Sequence, residues 1–251
     1  MYKIPANTLF MGRNLVYVPV CHSTNTLATD LCNKTPLLEG TLVITDHQQA
    51  GKGQRGNKWQ AVPKQNFTFS FILKPTFLAI SNQFILNQCI SLGIADFITE
   101  LLSQEVKIKW PNDILIQEKK VCGILIENTL NGEQIQQSVI GIGLNVNQRQ
   151  FESRQATSLA LISKRDYLLS AILDRLLEYL EVRYLQLKRG EFEAIQTDYL
   201  SRLYRINEAH QYQAASRQFE GTITGVDARG RLKIKTDEEQ VFDVKEVTFI
   251  Y

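Results

Sequence analysis

The segment 51–59, Gly-Lys-Gly-Gln-Arg-Gly-Asn-Lys-Trp, combines residue types that bind anions. Its glycines can expose backbone N–H groups and let the chain come close to an oxyanion. Lys52 and Arg55 add positive charge, and Trp59 could cover an apolar or planar ligand. The composition therefore favours a phosphate-binding loop, although a solvated basic loop would have the same composition.

The glycine spacing at 51–56 matches the dinucleotide-binding pattern G-x-G-x-x-G, but its surroundings do not. That pattern needs a helix immediately afterwards and an acidic residue about twenty positions later. Here Trp59 and Pro63 come next, another strand is predicted, and Lys74 stands in the relevant region. The P-loop pattern also fails, because Asn57-Lys58 does not complete its final G-K-[S/T]. Phosphate binding at this loop would rely on simpler backbone and charge contacts.

A second group of polar residues lies at the end of a predicted strand. The run Lys109-Trp110-Pro111-Asn112-Asp113 ends that strand in a rigid turn, which would hold an amide and a carboxylate at fixed positions. Lys120 comes seven residues after Asp113, and Gly123 follows in the next strand. Each feature alone is ordinary, since a lysine beside a hairpin turn is usually solvated.

Hydrophobic periodicity predicts the elements that must position these residues. Strands are predicted over 15–20, 41–45, 67–73, 106–110, 113–117, 121–127 and 138–147, the last one broken by Gly141 and Gly143. Helices are predicted from Ser23, from Ser81 and from a capping box of Ser163 and Asp166, with Gly190 ending the third and a further helix over 191–205. Short strands follow residue 207, with a hairpin turn at 227–230. We therefore predict an α+β main domain at 1–206 and a small β domain at 207–251.

The composition of the 251 residues narrows the possible functions. A net charge of +2 gives no general attraction to nucleic acid or to an anionic membrane. Four scattered cysteines and three scattered histidines form no C-x-x-C or H-x-x-x-H pair, so neither disulfides nor a built-in metal site are expected. No signal peptide is predicted, and no stretch approaches the roughly twenty apolar residues of a membrane span. We expect a cytoplasmic protein.

Five segments together resemble biotin protein ligases in their order and spacing. They are Ser23-Thr24-Asn25, the 51–59 loop, Lys109–Asp113, Lys120-x-x-Gly123, and the motif Gly-Ile-Gly-Leu-Asn-Val-Asn at 141–147. The small C-terminal β domain also agrees with the SH3-like module of that family. The resemblance implies a mixed β-sheet with flanking helices, followed by an SH3-like domain at 207–251.

The resemblance further implies a ligase that makes a C–N bond in two steps. The carboxylate of biotin attacks the α-phosphate of ATP, with Mg²⁺ on the phosphates, and gives biotinyl-5'-AMP and pyrophosphate. A lysine of a biotin carboxyl carrier protein domain then displaces AMP. Neither step needs a nucleophile from the enzyme, so positioning and charge neutralisation by lysine and arginine should dominate.

The same resemblance assigns residues to each substrate. The biotin-binding residues would be Ser23, Thr24, Asn25, Gln48, Gly53, Lys120 and Gly123. The residues on the ATP and adenylate side would be Lys52, Gln54, Arg55, Asn57, Trp59, Asn112, Lys120 and Asn145. Lys120, Arg55 and Asp113 are the expected catalytic residues. Lys120 would lie between the biotin carboxylate and the α-phosphate, and Asp113 could help to hold Mg²⁺.

The 51–59 loop departs from the family pattern. Arginine is common in the family where Gln54 stands, and here it comes one position later, at Arg55. Either Arg55 or Lys52 could supply the charge that is missing at Gln54. Only about twenty residues precede Ser23, too few for the N-terminal helix-turn-helix domain of some family members, so nucleic-acid binding is not expected.

Two other functions stay open at this point. A lipoate/octanoate–protein ligase shares the fold and the acyl-adenylate chemistry, although its R-R-x-S-G-G-G-type loop is absent here. A non-catalytic biotin-binding module is the second, and the presence of Lys120 with a complete basic loop disfavours it. The sequence identifies neither the acceptor carboxylase subunit nor the oligomeric state, which could be a monomer or a homodimer formed through a sheet edge.

Overall fold

A mixed sheet of seven strands forms the centre of the fold in the computed structural model. The structure describes residues 2–5 and 7–250, and for residue 55 it describes the backbone alone. The strands in the first 150 residues of the chain are β1 (Leu15–Cys21), β2 (Leu42–Gln48), β3 (Gly51–Lys52), β4 (Lys58–Trp59), β5 (Phe67–Leu73), β6 (Val106–Lys109), β7 (Asp113–Ile116), β8 (Lys119–Asn131) and β9 (Gln134–Leu144). The sheet order is β1-β2-β5-β9-β8-β7-β6, and β3 and β4 pair in a separate ribbon. Strands β1 and β2 are parallel, and the other neighbours are antiparallel. The expected mixed sheet is confirmed.

Helices cover both faces of this sheet. They are α1 (Thr24–Lys34), α2 (Phe84–Leu102), α3 (Leu159–Ser163), α4 (Leu169–Lys188) and α5 (Phe192–Ser201). On one face, Ala28 of α1 packs with Val43, Ile72 and Val139. On the other face, α2 and α4 contribute to the larger core. Because both faces are covered, all seven residues of β5 are buried instead of alternating.

The segment Ile80–Leu102, which contains α2, is long and apolar enough by composition to cross a membrane. The prediction that no such stretch exists is wrong. In the structure, 67% of the apolar window is buried inside the protein, and α2 packs against α4 and α5. Burial in the core of the fold therefore accounts for the composition of this helix.

Two of the predicted helix starts are also wrong. Helix α2 begins at Phe84, and Ser81 lies in a 3-10 turn before it. Ser163 and Asp166 do not form a capping box for α4, because Ser163 is the last residue of α3 and its hydroxyl donates to a carbonyl within that helix. The residue that caps α3 is Ser158, whose side chain accepts a hydrogen bond from a backbone N–H of the first turn.

A five-stranded antiparallel sheet follows the helices. Its strands are β10 (Ala209–Ala214), β11 (Arg217–Val226), β12 (Leu232–Lys235), β13 (Glu239–Phe242) and β14 (Val247–Phe249), in the order β13-β12-β11-β10-β14. The predicted turn at 227–230 joins β11 and β12, and Gly230 has a φ of +88°, which favours glycine. The Trp110 indole N–H donates to the Gly230 carbonyl at 2.8 Å and ties this sheet to the end of β6. The domain division between 206 and 207 stays a prediction.

A buried carboxylate holds the N-terminal segment against the helices. Glu181 of α4 is 5% exposed and accepts hydrogen bonds from the backbone N–H groups of Leu9, Phe10 and Met11 at 2.7, 2.9 and 2.9 Å. Three donors compensate for the burial of the carboxylate. Met11 is fully buried and so becomes part of the core.

Candidate active site

A cavity of 510 Å³ lies between the main sheet, the β3–β4 ribbon, the turn after β6 and the C-terminal sheet. Thirteen of the residues that the sequence analysis assigns to the site line this cavity. They are Ser23, Thr24, Asn25, Gln48, Lys52, Gly53, Gln54, Asn57, Trp59, Asn112, Asp113, Lys120 and Gly123. Gly141, Ile142 and Gly143 line the cavity as well, so the fold brings residues of all five sequence motifs to one place.

Two of the assigned residues are not among these lining residues. Asn145 is buried beside β8, where its Nδ2 donates to the Thr157 carbonyl at 3.0 Å and its Oδ1 has no hydrogen-bond partner. The Asn145 amide group is thus turned toward the loop that precedes α3, and the expected contact of Asn145 with the nucleotide stays a prediction. The side chain of Arg55 lies outside the described residues, and the role assigned to Arg55 stays a prediction.

Positive side chains dominate the wall of the cavity. Among the described residues that line it, the cations are Lys52, Lys58, Lys109, Lys120 and Lys245, and the carboxylate is Asp113. Lys52 and Lys58 are paired residues on the β3–β4 ribbon, so their charges lie on neighbouring strands. A concave wall with this excess of positive charge attracts an anionic ligand such as a polyphosphate.

Lys120 lies between the turn after β6 and the β3–β4 ribbon. Its Nζ is 2.6 Å from Asp113 Oδ1 and 5.5 Å from the centre of the Trp59 ring. The side chain is 36% exposed, so the ammonium group can still reach a ligand in the cavity. Asp113 faces Gly123 in the β7–β8 pairing, and the Lys120 side chain passes close to Gly123. The carboxylate thus orients the ammonium group through a charge-assisted hydrogen bond.

Asn112 holds the turn before Asp113 against β8 through two hydrogen bonds. The Asn112 Nδ2 donates to the Ile124 carbonyl at 2.6 Å, and the Ile124 N–H donates back to the Asn112 carbonyl at 3.1 Å. The Asn112 amide therefore fixes the turn in place. This structural use explains why an asparagine stands next to the carboxylate that holds Lys120.

Thr24 of α1, Gln48 of β2 and Ser70 of β5 form a polar cluster at the cavity. The Thr24 N–H donates to Gln48 Oε1 at 2.8 Å, and the Gln48 Nε2 lies against Gly51. Ser23 precedes α1 and lines the cavity, and its side chain makes no capping hydrogen bond. These hydroxyl and amide groups can both donate and accept hydrogen bonds. They suit a neutral polar head group.

Two glycines of β9 make room for side chains from other elements. A Cβ atom at Gly141 would overlap the amide of Asn25, and one at Gly143 would overlap the indole of Trp59. The prediction that both glycines break the strand is wrong, because β9 runs without interruption over Gln134–Leu144. Glycine is required at these positions for close approach.

Cys122 lies on β8, in sequence between Lys120 and Gly123, two residues that line the cavity. Cys122 is fully buried, and this burial raises the pKa of the thiol, with the nearby Lys120 ammonium opposing the shift. A neutral thiol is a poor nucleophile. Cys122 therefore does not offer a thiolate nucleophile at this site.

The C-terminal sheet and the segment before β14 form one wall of the cavity, and no sequence motif predicts it. The lining residues from this part are Val244, Lys245, Val247, Thr248 and Phe249. The Nζ of Lys109 lies 5.0 Å from the centre of the Phe249 ring, which joins the wall to the end of β6. Apart from Lys245, no residue type in this stretch indicates ligand binding.

A smaller cavity of 160 Å³ lies on the far side of the Lys120–Asp113 pair and includes Ser153 and Gln155.

Comparison with known proteins agrees with this geometry. Residues 17–145 match the model of the biotin/lipoate A/B protein ligase family. The bifunctional ligase/repressor BirA of Bacillus subtilis is 30% identical over 236 residues, which cover 92% of this chain and 72% of that protein. The chain belongs to the biotin/lipoate A/B protein ligase family.

Two further relatives extend over almost the whole chain. A biotin–[acetyl-CoA-carboxylase] ligase from Paracoccus denitrificans is 28% identical over 240 residues, which cover 90% of this chain and 97% of that protein. The structure of the biotin protein ligase from Aquifex aeolicus in complex with biotin and ATP superposes with a TM-score of 0.78 at 25% identity, covering 95% of this chain and 99% of the other. The family and the fold class expected from the sequence are confirmed.

Proposed function

We propose that this protein is an ATP-dependent biotin–protein ligase, which forms biotinyl-5'-AMP and transfers biotin to a lysine of a carrier domain. The observation that carries the proposal is the position of Lys120, which shares one cavity with a basic wall and with the polar cluster around Thr24 and Gln48. A reaction that joins a carboxylate to a phosphate needs a cation where the two anions meet. The Aquifex aeolicus relative, solved with biotin and ATP, supports this pair of substrates.

The polar cluster favours biotin over lipoate. The ureido ring of biotin has two N–H donors and a carbonyl acceptor, which match the side chains of Ser23, Thr24 and Gln48. Apolar side chains, among them Phe69 and Ile142, line the same cavity and would cover the rest of the bicycle. The dithiolane ring of lipoate would leave the polar groups unpaired, at a cost of about 1–3 kcal/mol for each buried group.

In the first step, a biotin carboxylate oxygen attacks the α-phosphorus of ATP, and the bond to the leaving pyrophosphate oxygen breaks. Lys120 would contact both the carboxylate and the α-phosphate and reduce their mutual repulsion. The lysines of the β3–β4 ribbon would neutralise the departing pyrophosphate, and Trp59 would cover the adenylate. Gly53 and Gly123 would allow close backbone contact with the ligands.

Magnesium would arrive with ATP. Within residues 2–5 and 7–250, no group of three or more His, Cys, Asp or Glu side chains could hold a metal ion. Mg²⁺ commonly binds through substrate phosphates, water and one or two carboxylates. Asp113, the carboxylate that lines the cavity, fits as such a single ligand. Magnesium would balance phosphate charge, while Lys120 and the ribbon lysines position the phosphates.

In the second step, a lysine nitrogen of the acceptor attacks the acyl carbon of the adenylate, AMP leaves with its oxygen, and the amine loses a proton. The name of the Paracoccus denitrificans relative supports a carboxylase carrier domain as the acceptor. A cytoplasmic location would suit this partner. The proposal needs neither a membrane nor a nucleic acid.

Pyrophosphate release from ATP tests the proposal, with biotin, lipoate and octanoate offered separately. We expect release with biotin and background release with the other two acids. Addition of a biotin carboxyl carrier domain should then yield a protein that carries biotin on one lysine. Release with lipoate or octanoate alone would identify a lipoate-type ligase, and biotin binding without release would identify a non-catalytic module.

A further inference from the structure

A chain of hydrogen bonds runs from the surface of β8 to the polar cluster of the cavity. It begins at Glu127, an exposed residue whose Oε2 lies 2.7 Å from Asn25 Nδ2. The Asn25 Oδ1 is 2.6 Å from Ser70 Oγ, and Ser70 Oγ is 2.8 Å from Thr24 Oγ1. Asn25 and Thr24 line the cavity, whereas Ser70 is fully buried behind them.

The carboxylate, which is the nearer of two acceptors of the Asn25 NH₂ group, determines the direction of each bond in this chain; the other acceptor is the Leu125 carbonyl at 3.4 Å. A carboxylate accepts hydrogen bonds, so Asn25 must turn its NH₂ group toward Glu127 and its oxygen toward Ser70. That oxygen carries no hydrogen, and it takes the single hydroxyl hydrogen of Ser70. The hydroxyl hydrogen of Thr24 is then directed to Ser70 Oγ or to Gln48 Oε1, which is 3.2 Å away. In both cases, lone pairs of Thr24 Oγ1 are left to face a ligand.

We propose that Glu127 is a positioning residue that makes Thr24 a hydrogen-bond acceptor and thereby selects a head group with N–H donors. The inference rests on the proposed function, because the ureido ring of biotin carries such donors. Hydrogen bonds that are aligned head to tail polarise one another, so the distant carboxylate also strengthens the acceptor. A head group without N–H donors gains nothing from this arrangement. Glu127 therefore acts on specificity without touching the ligand.

Three substitutions at position 127 test whether the direction of the hydrogen bonds matters, or only the presence of a side chain. Glu127→Gln keeps an oxygen that can accept from Asn25. Glu127→Ala removes the nearer acceptor and leaves the Asn25 NH₂ group only the Leu125 carbonyl at 3.4 Å. Glu127→Lys supplies a donor, which would turn the Asn25 oxygen outward and its NH₂ group toward Ser70. That reversal would make Ser70 donate to Thr24 and occupy a lone pair of Thr24 Oγ1, and the Thr24 hydrogen would then turn to Gln48 Oε1 or into the cavity.

The test measures biotin-dependent pyrophosphate release by the full chain, with separate KM values for biotin and ATP. We expect the biotin KM to stay within about twofold of wild type for Glu127→Gln, to rise about tenfold for Glu127→Ala and to rise further for Glu127→Lys. The KM for ATP should not change. Ser70→Ala interrupts the same chain, so adding Glu127→Ala to it should have little further effect.

Glu133→Ala, at the turn of the same β8–β9 hairpin, is the matched control and should behave as wild type. An unchanged biotin KM in both Glu127→Ala and Glu127→Lys, or additive effects of Ser70→Ala and Glu127→Ala, would overturn the positioning role. Failure of the wild-type protein to release pyrophosphate with biotin would overturn the proposed function instead. The two failures are therefore distinguishable.

Discussion

The indole of Trp59 occupies the space that a side chain at Gly143 would fill. A Cβ atom at Gly143 would overlap the five-membered and six-membered rings of Trp59. Gly143 nevertheless pairs regularly with Thr68 on one side and Gly123 on the other. The absence of a side chain at Gly143 therefore leaves room for the Trp59 indole from the β3–β4 ribbon, while the strands on both sides of Gly143 keep their register.

Gly141 and Gly143 make room for different side chains, so replacing each of them should impair the binding of a different substrate. Gly143→Ala should displace Trp59 and raise the KM for ATP, as Trp59→Ala should. Gly141→Ala should displace Asn25 and raise the KM for biotin. We expect about tenfold for each, because each change disrupts one or two ligand contacts. Steady-state pyrophosphate release measures both KM values. If both glycine variants changed the KM of the same substrate, the two glycines would not serve separate substrate sites.

Lys120→Ala should abolish adenylate formation while the protein stays folded. Each charge-assisted bond is worth roughly 1.5–3 kcal/mol, so loss of two such bonds should slow pyrophosphate release at least about hundredfold. Lys119→Ala, at the adjacent exposed position, is the control and should retain activity. Near-normal release by folded Lys120→Ala protein would rule out the central role of this ammonium group.

Arg55→Gly should increase the escape of biotinyl-5'-AMP from the site. A guanidinium can hold a phosphate through two parallel N–H bonds, whereas Gln54, which lines the cavity, offers no charge. Non-specific biotinylation of a bystander protein measures the escape, and Gln54→Gly should change it little. If escape rises with Gln54→Gly alone, the position in the loop matters more than the charge.

Glu39 predicts an acid-sensitive contribution to stability. Its carboxylate accepts from Tyr184 Oη at 2.7 Å, from the Lys74 N–H at 2.9 Å and from Lys188 Nζ at 3.0 Å. Burial raises the pKa of Glu39, but these bonds together outweigh it and hold the pKa below its ordinary value of 4.5. A pKa that is lower in the folded than in the unfolded chain means that the ionised group stabilises the fold above its unfolded pKa. This contribution is lost as the pH falls through the folded pKa.

Glu39→Gln should therefore lower the free energy of unfolding by about 1–3 kcal/mol at neutral pH. The difference from wild type should shrink below about pH 4. Urea unfolding at both pH values measures it, with Glu193→Gln, on the exposed side of α5, as the control. A difference that does not depend on pH would show that Glu39 acts through packing.

Local patterns predicted the parts of the fold that depend on local chemistry. The run at 67–73 becomes β5 with the same bounds, and Gly190, with a φ of +76°, follows the end of α4. The capping box failed because Ser163 is used by the helix before it. Glu127 meets Asn25 across 102 residues, and the wall at 244–249 reaches the cavity only through packing of the C-terminal sheet. No spacing rule within one segment can indicate such contacts.

The hydrogen bonds that Leu9, Phe10 and Met11 donate to Glu181 also constrain the order in which the chain can fold. They join residues that lie 170–172 positions apart. A ribosome adds roughly 5–20 residues per second, so the carboxylate emerges about ten to thirty seconds after the amides that it binds. During that time Met11 has no α4 to pack against, whereas β1 can already pair with β2. Leu9, Phe10 and Met11 can therefore dock only after synthesis has passed α4.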